Sequence, residues 1–252
     1  MHTQTEGGII LHGDCLVAMQ NIPDNSVDMV LCDLPYGTTQ CKWDSVIPFE
    51  PLWKEYNRVC KVNAPMVFTA AQPFTSTLIA SNIKNFKYTW VWEKSKASGH
   101  LNAKRMPLRA HEDICVFYRK PPVYNPQMTQ GQPYHKGTWQ AKNTPDVWGE
   151  QRDYENKNDT GLRYPRTVQY FKTAEREGKL HPTQKPIALF EYLVKTYSNE
   201  GDVVLDNCIG SGTTAIAALN TGRKYIGVEL EQKYVDVCNE RIEKFYALEP
   251  ER

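Results

Sequence analysis

A short polar and aromatic segment, Asp33-Leu34-Pro35-Tyr36, follows directly after the apolar run VDMVLC. The exocyclic amine of a nucleobase is a poor nucleophile because its lone pair is conjugated into the ring. The Asp33 carboxylate and the Leu34 carbonyl can each accept one N–H of such an amine, which frees the lone pair for attack on an electrophile. Pro35 fixes the backbone φ angle, and Tyr36 offers a ring on which a base can stack, for roughly 1–3 kcal/mol. The segment is a candidate for amine activation, although Asp-x-Pro is also common in ordinary strand-to-turn junctions.

A second candidate site is the glycine loop within residues 203–229, VVLDNCIGSGTTAIAALNTGRKYIGVE. A predicted strand ends at Asp206, Gly210 and Gly212 precede a predicted helix, and a second strand ends at Glu229. Glycines let the backbone approach a ligand closely, and a helix N-terminus offers free N–H groups. A terminal acid can accept hydrogen bonds from ribose hydroxyls. The pattern predicts an adenosine-containing ligand, with a purely structural strand–turn–helix as the alternative. Because Ala215 replaces the third glycine of a nicotinamide motif, S-adenosylmethionine is favoured over NAD.

Alternating apolar segments predict the elements that position these residues. Strands are expected at 9–12, 27–32, 65–70, 88–92, 112–118, 203–206 and 224–229, and helices at 49–61, 74–82, from 186, after the glycine loop and at 232–246. Alternating strands and helices are typical of an α/β protein with a buried, largely parallel sheet. Six prolines interrupt this pattern between residues 121 and 180, which predicts an irregular insertion there.

Charge is distributed unevenly along the 252 residues. Residues 1–83 have a net charge of −4, residues 84–185 of +9 and residues 186–252 of −4, which together give the overall +1. A basic middle segment can attract a polyanion, although a solvated lysine-rich surface would have the same composition. The candidates for phosphate contacts are Lys94, Lys96, Lys104, Arg105 and Arg109.

The cysteines and histidines show no pattern of a disulfide framework or a metal site. The seven cysteines are odd in number and include no C-x-x-C pair, which is typical of reduced thiols. The six histidines are scattered without ligand spacing, so no metal is expected. The N-terminal residues lack a signal-peptide pattern and no apolar run approaches the length of a membrane span. We therefore expect no membrane segment and a cytoplasmic location.

Four motifs in this order resemble those of the β-class DNA amino-methyltransferases, which methylate adenine N6 or cytosine N4. The catalytic motif (D/N/S)-P-P-(Y/F) is similar to residues 33–36, with Leu34 in place of the first proline. The cofactor motif D-P-F-x-G-S-G-T-T is similar to residues 206–214, with Asn207 and Cys208 replacing proline and phenylalanine. The motif H-P-T-Q-K-P occurs intact at residues 181–186, and L-x-x-G-D-C-L is similar to residues 10–16.

The resemblance implies S-adenosylmethionine as the cofactor and assigns residues to it. Asp14 would accept a hydrogen bond from the cofactor's adenine amine, Cys15 would give a backbone contact, and Lys185 would lie near the methionine carboxylate. The remaining cofactor residues would be Asp206, Gly210, Ser211, Gly212, Thr213 and Glu229. Asp33, Leu34, Pro35 and Tyr36 would form the catalytic site.

The resemblance also implies an α/β, Rossmann-like methyltransferase fold. This fold has a seven-stranded, mostly parallel sheet with helices on both faces. Residues 9–120 would be its catalytic half, residues 121–180 a small irregular target recognition insertion, and residues 181–246 its cofactor-binding half.

The function implied is methyl transfer to adenine N6 in double-stranded DNA, with the target base flipped out of the helix. Aspartate at position 33 favours adenine over cytosine. The alternatives are cytosine-N4 methylation, methylation of RNA or of a protein glutamine, and a catalytically silent DNA-binding protein. A homodimer is compatible with the family, but no apolar stripe supports one. The sequence identifies neither the recognition site nor a partner restriction endonuclease.

Aromatic residues near these segments have two interpretations. Trp43, in the loop 38–48, would either stack on the substrate or pack ordinarily. A small aromatic core is favoured over DNA reading for most of the aromatic residues in the insertion. These are Tyr124, Tyr134, Trp139, Trp148, Tyr154 and Tyr164.

Overall fold

A computed structural model describes residues 2–39, 41, 44–141, 149, 152–176 and 183–248. The chain divides into two compact units, one formed by residues 1–125 with 167–252 and the other by residues 126–166. Trp43, Trp148, His181 and Pro182, which the sequence singled out, lie outside the described residues.

The described residues form thirteen strands, six α-helices and three 3₁₀ turns. The strands are β1 (His2–Thr5), β2 (Gly8–His12), β3 (Met29–Cys32), β4 (Met66–Ala70), β5 (Phe86–Ser98), β6 (Arg109–Phe117), β7 (Thr129–Gln130), β8 (Tyr134–Trp139), β9 (Tyr154–Asn158), β10 (Leu162–Arg163), β11 (Val168–Phe171), β12 (Val203–Asp206) and β13 (Lys224–Glu229). The helices are α1 (Cys15–Ala18), α2 (Phe49–Val59), α3 (Phe74–Ser81), α4 (Ile187–Tyr197), α5 (Thr213–Asn220) and α6 (Gln232–Leu248), and the 3₁₀ turns are Met19–Asn21, His100–Asn102 and Ala174–Arg176.

The larger unit contains one nine-stranded sheet in the order β1-β2-β13-β12-β3-β4-β6-β5-β11. The five strands from β2 to β4 are parallel, and β6 runs antiparallel to both of its neighbours. The α/β class and the mostly parallel sheet are confirmed. The sheet has two more strands than the predicted seven, because β1 pairs with one edge and β11 with the other.

Helices cover both faces of this sheet. Alternate residues of β3 point to opposite sides, with Met29 and Leu31 in one buried cluster and Val30 and Cys32 in the other. The first cluster contains residues of α4, α5 and α6, and the second contains residues of α2 and α3. In α2, Leu52, Tyr56 and Val59 recur at helical spacing and are fully buried, so this apolar stripe holds α2 on the sheet.

The pairing of β3 with β12 brings the two candidate motifs together. Met29 pairs with Val204 and Val30 with Leu205, although these residues are about 170 positions apart in the sequence. Both strands run in the same direction, so the segments that follow them, beginning at Asp33 and at Asn207, emerge at the same edge. Ligands of open α/β sheets bind at this carboxyl edge.

The smaller unit contains two antiparallel pairs, β7 with β10 and β8 with β9. Its bounds, 126–166, are narrower than the predicted insertion 121–180. Residues before 126 belong to the larger unit, where the Asn125 amide donates to the carbonyl of Thr196 in α4 at 2.8 Å. After residue 166 the chain forms β11, whose pairing with β5 could not be read from a proline-rich sequence.

The described residues of the smaller unit do not form the aromatic core that the sequence favoured. None of its described aromatic side chains is buried, and Tyr154 and Tyr164 are 54% and 74% exposed. Trp139 and Tyr154 contact each other with ring centroids 5.3 Å apart, and Arg163 lies over the ring of Tyr134. The ring pair joins β8 to β9, and the cation–ring contact joins β10 to β8, which are contacts typical of partly exposed strands. Tyr124 belongs to the larger unit and is 44% exposed.

Candidate active site

Asp33 lies immediately after β3 and accepts three hydrogen bonds. Its Oδ1 accepts from the Tyr36 hydroxyl at 2.7 Å and from Thr69 Oγ1 at 2.5 Å, and its Oδ2 accepts from Lys185 Nζ at 2.7 Å. A carboxylate has about four acceptor positions, so one position remains on Oδ2. The side chain is 20% exposed, which leaves it accessible to one incoming N–H group.

Lys185 is buried between two carboxylates. Its Nζ lies 2.7 Å from Asp33 Oδ2 and 3.4 Å from Glu112 Oε2, and the side chain is 8% exposed. Burial alone would lower the pKa of Lys185, but the charges of Asp33 and Glu112 raise it above its usual value. Glu112 in turn contacts Lys94 Nζ at 3.2 Å. The four side chains form a row of alternating charge that ends at Asp33.

The family resemblance predicts that the Lys185 ammonium lies near the methionine carboxylate of the cofactor. In the structure this ammonium contacts Asp33 and Glu112. Lys94, a candidate for a phosphate contact, is 7% exposed at its side chain and is held by Glu112. The sequence analysis singled out neither Thr69 nor Glu112. Thr69 is on β4 and Glu112 on β6, and only the strand order brings them to Asp33.

Leu34 and Tyr36 are held in place by different neighbouring residues. Leu34 is 3% exposed and packs in the cluster beneath α2 and α3, which explains how leucine serves at a family proline position. The Tyr36 ring stacks on Phe74 with centroids 5.0 Å apart and planes at 22°. Burial and the nearby Asp33 charge raise the pKa of Tyr36, so its hydroxyl stays protonated and donates to Asp33. The Lys185 ammonium also lies over the Tyr36 ring, 5.6 Å from its centroid.

The loop after Tyr36 is folded around Asp44, which the sequence analysis missed. The Asp44 carboxylate accepts backbone N–H bonds from Gly37 at 2.9 Å, Thr38 at 2.9 Å and Thr39 at 2.6 Å. Burial opposes ionisation, but these bonds and one from the Thr39 side chain lower the pKa of Asp44. The Asp44 carboxylate therefore fixes the conformation of the backbone that follows Tyr36.

The Asp206 carboxylate fixes the conformation of the glycine loop by accepting hydrogen bonds from residues of the loop. Its Oδ1 accepts from the Cys208 amide at 3.0 Å and its Oδ2 accepts from the Thr214 hydroxyl. Burial raises the pKa of Asp206 to about 6. Gly212 has φ +85°, and a Cβ there would lie 2.5 Å from Cys238 Sγ. The loop conformation therefore requires glycine at this position.

Glu229 lies across from this loop at the end of β13. Its Oε2 accepts from the Gly210 amide at 2.9 Å and its Oε1 from the Glu231 amide at 2.8 Å. Each oxygen keeps an acceptor position, which suits a pair of ribose hydroxyls. Burial raises the pKa of Glu229, although these backbone bonds oppose the rise.

Ser211 and Thr213 connect the glycine loop to other elements. Ser211 is 3% exposed, and its carbonyl and Oγ accept from Arg241 of α6 at 2.7 and 3.3 Å. Thr213 Oγ1 donates to the Lys185 carbonyl at 3.4 Å. The loop is thus braced on the segment that carries Lys185.

Asp14 lies at a pocket beside β2. Its Oδ1 caps α1 by accepting from the amides of Leu16 at 2.9 Å and Val17 at 3.3 Å. The residue is exposed and lines the pocket together with His12 and Gly13. The Gly13 amide donates to the Glu229 carbonyl at 2.9 Å, so the predicted adenine and ribose contacts lie on adjoining segments.

The two departures from the cofactor motif have structural roles. Asn207 is 1% exposed and its Oδ1 accepts from the Tyr56 hydroxyl of α2 at 2.5 Å. Cys208 lies with Cys15 and Cys32 in a group of three thiols. A hydrogen bond with Cys208, together with burial, raises the pKa of Cys15, and burial raises that of Cys32. These thiols are protonated and act as small packing residues.

The residues present fit an adenosine-containing cofactor. Besides the free acceptor positions of Glu229, the amide of Gln184 is buried and neither its Nε2 nor its Oε1 has a hydrogen-bond partner among the described residues. A buried amide without partners costs about 1–3 kcal/mol, which a polar ligand would offset. Within the described part of the chain, no group of three or more His, Cys, Asp or Glu side chains is arranged to hold a metal ion. No described helix has the length and apolar character needed to cross a membrane.

The sequence and the fold match known DNA methyltransferases. The N6_N4_Mtase family, described as DNA methylase, matches residues 27–240. The DNA adenine methyltransferase YhdJ of Escherichia coli (strain K12) is 30% identical over 263 residues, which cover 94% of this chain and 83% of that protein. The M1.HpyAVI–SAM complex has a TM-score of 0.62 and 23% identity, and the match covers 92% of this chain and 98% of that one. The cytosine-N4-specific PvuII DNA methyltransferase has a TM-score of 0.67 and 16% identity, with 94% and 87% covered.

The fold and the site together define a Rossmann-like methyltransferase. Because the family match spans most of the sequence, the chain belongs to the N6/N4 DNA methylase family. It is a DNA methyltransferase whose cofactor is S-adenosylmethionine, and the family resemblance drawn from the motifs is confirmed.

Proposed function

We propose that this DNA methyltransferase methylates the N6 amine of adenine in double-stranded DNA. The observation that carries the proposal is Asp33, an oriented carboxylate with one acceptor position left. Asp33 lies at the carboxyl edge of the sheet, directly after β3. The neighbouring strand, β12, leads into the glycine loop.

The protein's task is to make the amine nucleophilic. Asp33 Oδ2 accepts one N–H of the amine and the Leu34 carbonyl accepts the other, which draws the nitrogen toward tetrahedral geometry and frees its lone pair. Tyr36 offers its ring as the stacking partner of the base. Lys185 and Thr69 fix the carboxylate, so little reorganisation is needed when the base enters. The nitrogen loses a proton as it gains the methyl group, and Asp33 Oδ2 is the base aligned with that N–H.

When bound, the cofactor would supply an electrophilic methyl group attached to a positively charged sulfur, and the sulfur would keep the electron pair of the C–S bond that breaks. We assign its ribose to Glu229, its adenine to Asp14 and Cys15, and the loop that encloses it to residues 206–214. Ser211 and Thr213 brace this loop, and Asp206 sets its shape. Because the Lys185 ammonium is held by carboxylates of the catalytic site, we assign it to the substrate side.

Adenine is favoured over cytosine on two grounds. Aspartate stands at the first catalytic position, and YhdJ, a relative at 30% identity, is named a DNA adenine methyltransferase. Cytosine N4 has the same amine chemistry, and PvuII methyltransferase, which shares the fold, is named cytosine-N4-specific. The base is therefore the part of the proposal that needs a direct test.

We assign target recognition to residues 126–166, the compact unit that interrupts the methyltransferase fold. Its charge is almost balanced, with six basic and five acidic side chains. Sequence reading by such a unit would depend on side-chain hydrogen bonds to base edges more than on net charge.

The test is identification of the product. The protein is incubated with isotopically labelled S-adenosylmethionine and plasmid DNA, and the digested nucleosides are analysed by mass spectrometry. N6-methyladenine is expected, N4-methylcytosine would refute the choice of base, and transfer only to RNA or protein would refute the substrate class. The variant Asp33→Ala should bind cofactor and transfer no methyl group. Full activity of this variant would refute the mechanism.

A further inference from the structure

The hairpin that joins β5 and β6 carries an unusual set of exposed residues. Every residue from 100 to 111 is exposed. Three large apolar side chains lie in this run, with Leu101 89% exposed, Met106 53% and Leu108 47%. We call residues 99–108 the hairpin tip. Clustered exposed apolar side chains mark surfaces that bind a partner.

The charge of this hairpin is entirely basic. Residues 94–111 contain five lysines and arginines and no aspartate or glutamate. Lys94 and Lys96 are paired with Glu112 and Glu175. Lys104, Arg105 and Arg109 form no ion pair with any described residue. A surface that combines free cations with exposed apolar side chains complements a polyanion that also offers an apolar interior.

The excess positive charge of the middle segment is concentrated in this part of the chain. Residues 84–125 carry nine basic and three acidic side chains, residues 126–166 carry six and five, and residues 167–185 carry four and two. The sequence comparison of the three segments placed a net charge of +9 on residues 84–185 as a whole. The counts assign most of it to the part that contains the hairpin.

The hairpin extends from the edge of the sheet where Asp33 lies. Since β6 is antiparallel to both β4 and β5, β5 runs in the same direction as β4 and ends at the same edge. Lys94, the first residue of the extension, contacts Glu112, which contacts Lys185 beside Asp33. From Lys94 to Ser98 the strand rises about 13 Å, so the hairpin tip lies beyond Lys94 on the side of the sheet where Asp33 lies.

We propose that the hairpin tip binds duplex DNA and that Leu101 enters the stack at the position from which the target base leaves. Lys104, Arg105 and Arg109 would neutralise phosphates on either side. Base extrusion costs a few kcal/mol and leaves an apolar gap, and an inserted apolar side chain covers that gap. This proposal rests on the proposed function, because inserting Leu101 into the stack has a role only if the target base is flipped out of the duplex toward Asp33.

The first test uses a matched pair of exposed apolar residues. Leu101→Ala removes the inserted side chain, and Ile83→Ala removes a side chain of similar exposure, 65%, from the turn before β5 at the opposite edge of the sheet. Transfer from labelled cofactor to plasmid DNA is measured together with cofactor affinity. We expect Leu101→Ala to lower kcat/KM for plasmid about tenfold, with cofactor affinity and Ile83→Ala unchanged. Equal activity of Leu101→Ala and the wild type would overturn the proposal.

The second test measures binding without catalysis. The affinity for a fluorescent 30-base-pair duplex is measured over a range of salt for the wild type, for Lys104→Gln/Arg105→Gln and for Lys84→Gln at the opposite edge. The double variant should reduce the slope of log affinity against log salt by about two, since each phosphate contact contributes about 0.9. An unchanged slope would refute the phosphate contacts. A change from dimer to monomer in Leu101→Ala by light scattering, without loss of duplex affinity, would assign the hairpin tip to a second copy of this chain instead.

The two proposals fail in distinguishable ways. If methyl groups went only to cytosine, RNA or protein, the product analysis of the wild type would detect it whatever the variants do. If the hairpin tip did not bind DNA, the wild type would still form N6-methyladenine, and only the comparison of Leu101→Ala with Ile83→Ala would fail.

Discussion

At the scale of single residues, the state of Asp33 depends on groups far away in sequence. Lys185 donates to one oxygen, and Tyr36 and Thr69 donate to the other. Glu112 contacts Lys185 as a second carboxylate. A carboxylate fixed in this way can accept an N–H in one direction only, which is the geometric requirement for activating a planar amine.

Replacing Lys185 should separate its role beside Asp33 from a role in cofactor binding. Lys185→Met leaves Asp33 without its cation and leaves Glu112 with Lys94 alone, and breaking a buried ion pair costs about 3–5 kcal/mol. We expect lower stability in urea, loss of methyl transfer and a cofactor Kd within about threefold of the wild type. Transfer kinetics, calorimetry of cofactor binding and urea unfolding measure these three quantities.

Lys185→Arg is the control, because it keeps the charge and should retain most of the stability. The outcome against this assignment is a large rise in the cofactor Kd with normal transfer at saturating cofactor. That result would place the ammonium at the methionine carboxylate, as the family resemblance implied.

The sequence identified some of these residues and could not identify the others. Asp33 and Tyr36 stand in a local motif, so their types and spacing are visible in the sequence. Thr69, Glu112 and Asp44 are ordinary polar residues in unremarkable contexts. Their roles arise from strand pairing and from the fold of a loop, neither of which leaves a local pattern.

At the scale of elements, the glycine loop is held by steric and electrostatic constraints that can be tested separately. The steric constraint is strongest at Gly212, where positive φ coincides with contact against α6. The electrostatic constraint lies in Asp206, a buried acid that bonds to both ends of the loop.

The variant Gly212→Ala should disrupt the glycine loop for two reasons, the positive φ angle and the contact of the added Cβ with Cys238. Gly201→Ala is the matched control, since Gly201 has φ +83° and nothing within 4 Å of the added Cβ. Both variants bear the cost of left-handed backbone, about 1–2 kcal/mol, but only Gly212→Ala also displaces Cys238. We expect a lower Tm for Gly212→Ala than for Gly201→Ala, and loss of cofactor binding only in the former. Equal effects in calorimetry and thermal unfolding would contradict this account.

Asp206 should make stability depend on pH in the direction opposite to that of a salt-bridged acid. Its pKa is raised from 3.8 to about 6 by burial, so its contribution to stability is full below pH 3.8 and is lost as the pH rises through 6. Relative to Asp206→Asn, which cannot titrate there, the wild type should lose up to about 3 kcal/mol between about pH 4 and pH 7. Urea unfolding of both proteins at several pH values measures this difference. A constant difference would mean that the pKa of Asp206 is not raised.

Strand positions were predicted best where both faces of a strand are buried. Strands β12 and β13 have the predicted bounds, whereas β5 extends well beyond the predicted 88–92 and β6 begins three residues before the predicted 112–118. The extensions carry polar residues exposed to solvent, so no apolar run marks them. The edge strands β1 and β11 have four residues each, and their pairing depends on neighbours that only the folded sheet provides.

At the scale of the whole molecule, the overall charge conceals a strong local asymmetry. The net charge is +1, yet residues 84–125 alone carry an excess of six positive charges. Long-range attraction to DNA depends on that local field and not on the average.

The affinity for plasmid DNA should therefore fall steeply with salt although the protein is nearly neutral. Between about 50 mM and about 200 mM salt we expect at least about a tenfold loss, because released counterions accompany each phosphate contact. The cofactor Kd, measured in the same buffers, should change less than about twofold, since the contacts that we assign to the cofactor are mostly hydrogen bonds. A DNA affinity independent of salt would show that the basic segment does not contact phosphates.

The thiols have a practical consequence for anyone who wishes to inactivate or store this protein. Five of the seven cysteines are buried, and burial raises the pKa of Cys60, Cys115 and Cys238 to about 12. Thiolates, not thiols, react with alkylating agents and peroxide, so at neutral pH the interior offers almost no nucleophile. Covalent inhibitors would therefore need to react with residues other than the buried cysteines. Air oxidation of these cysteines should be slow.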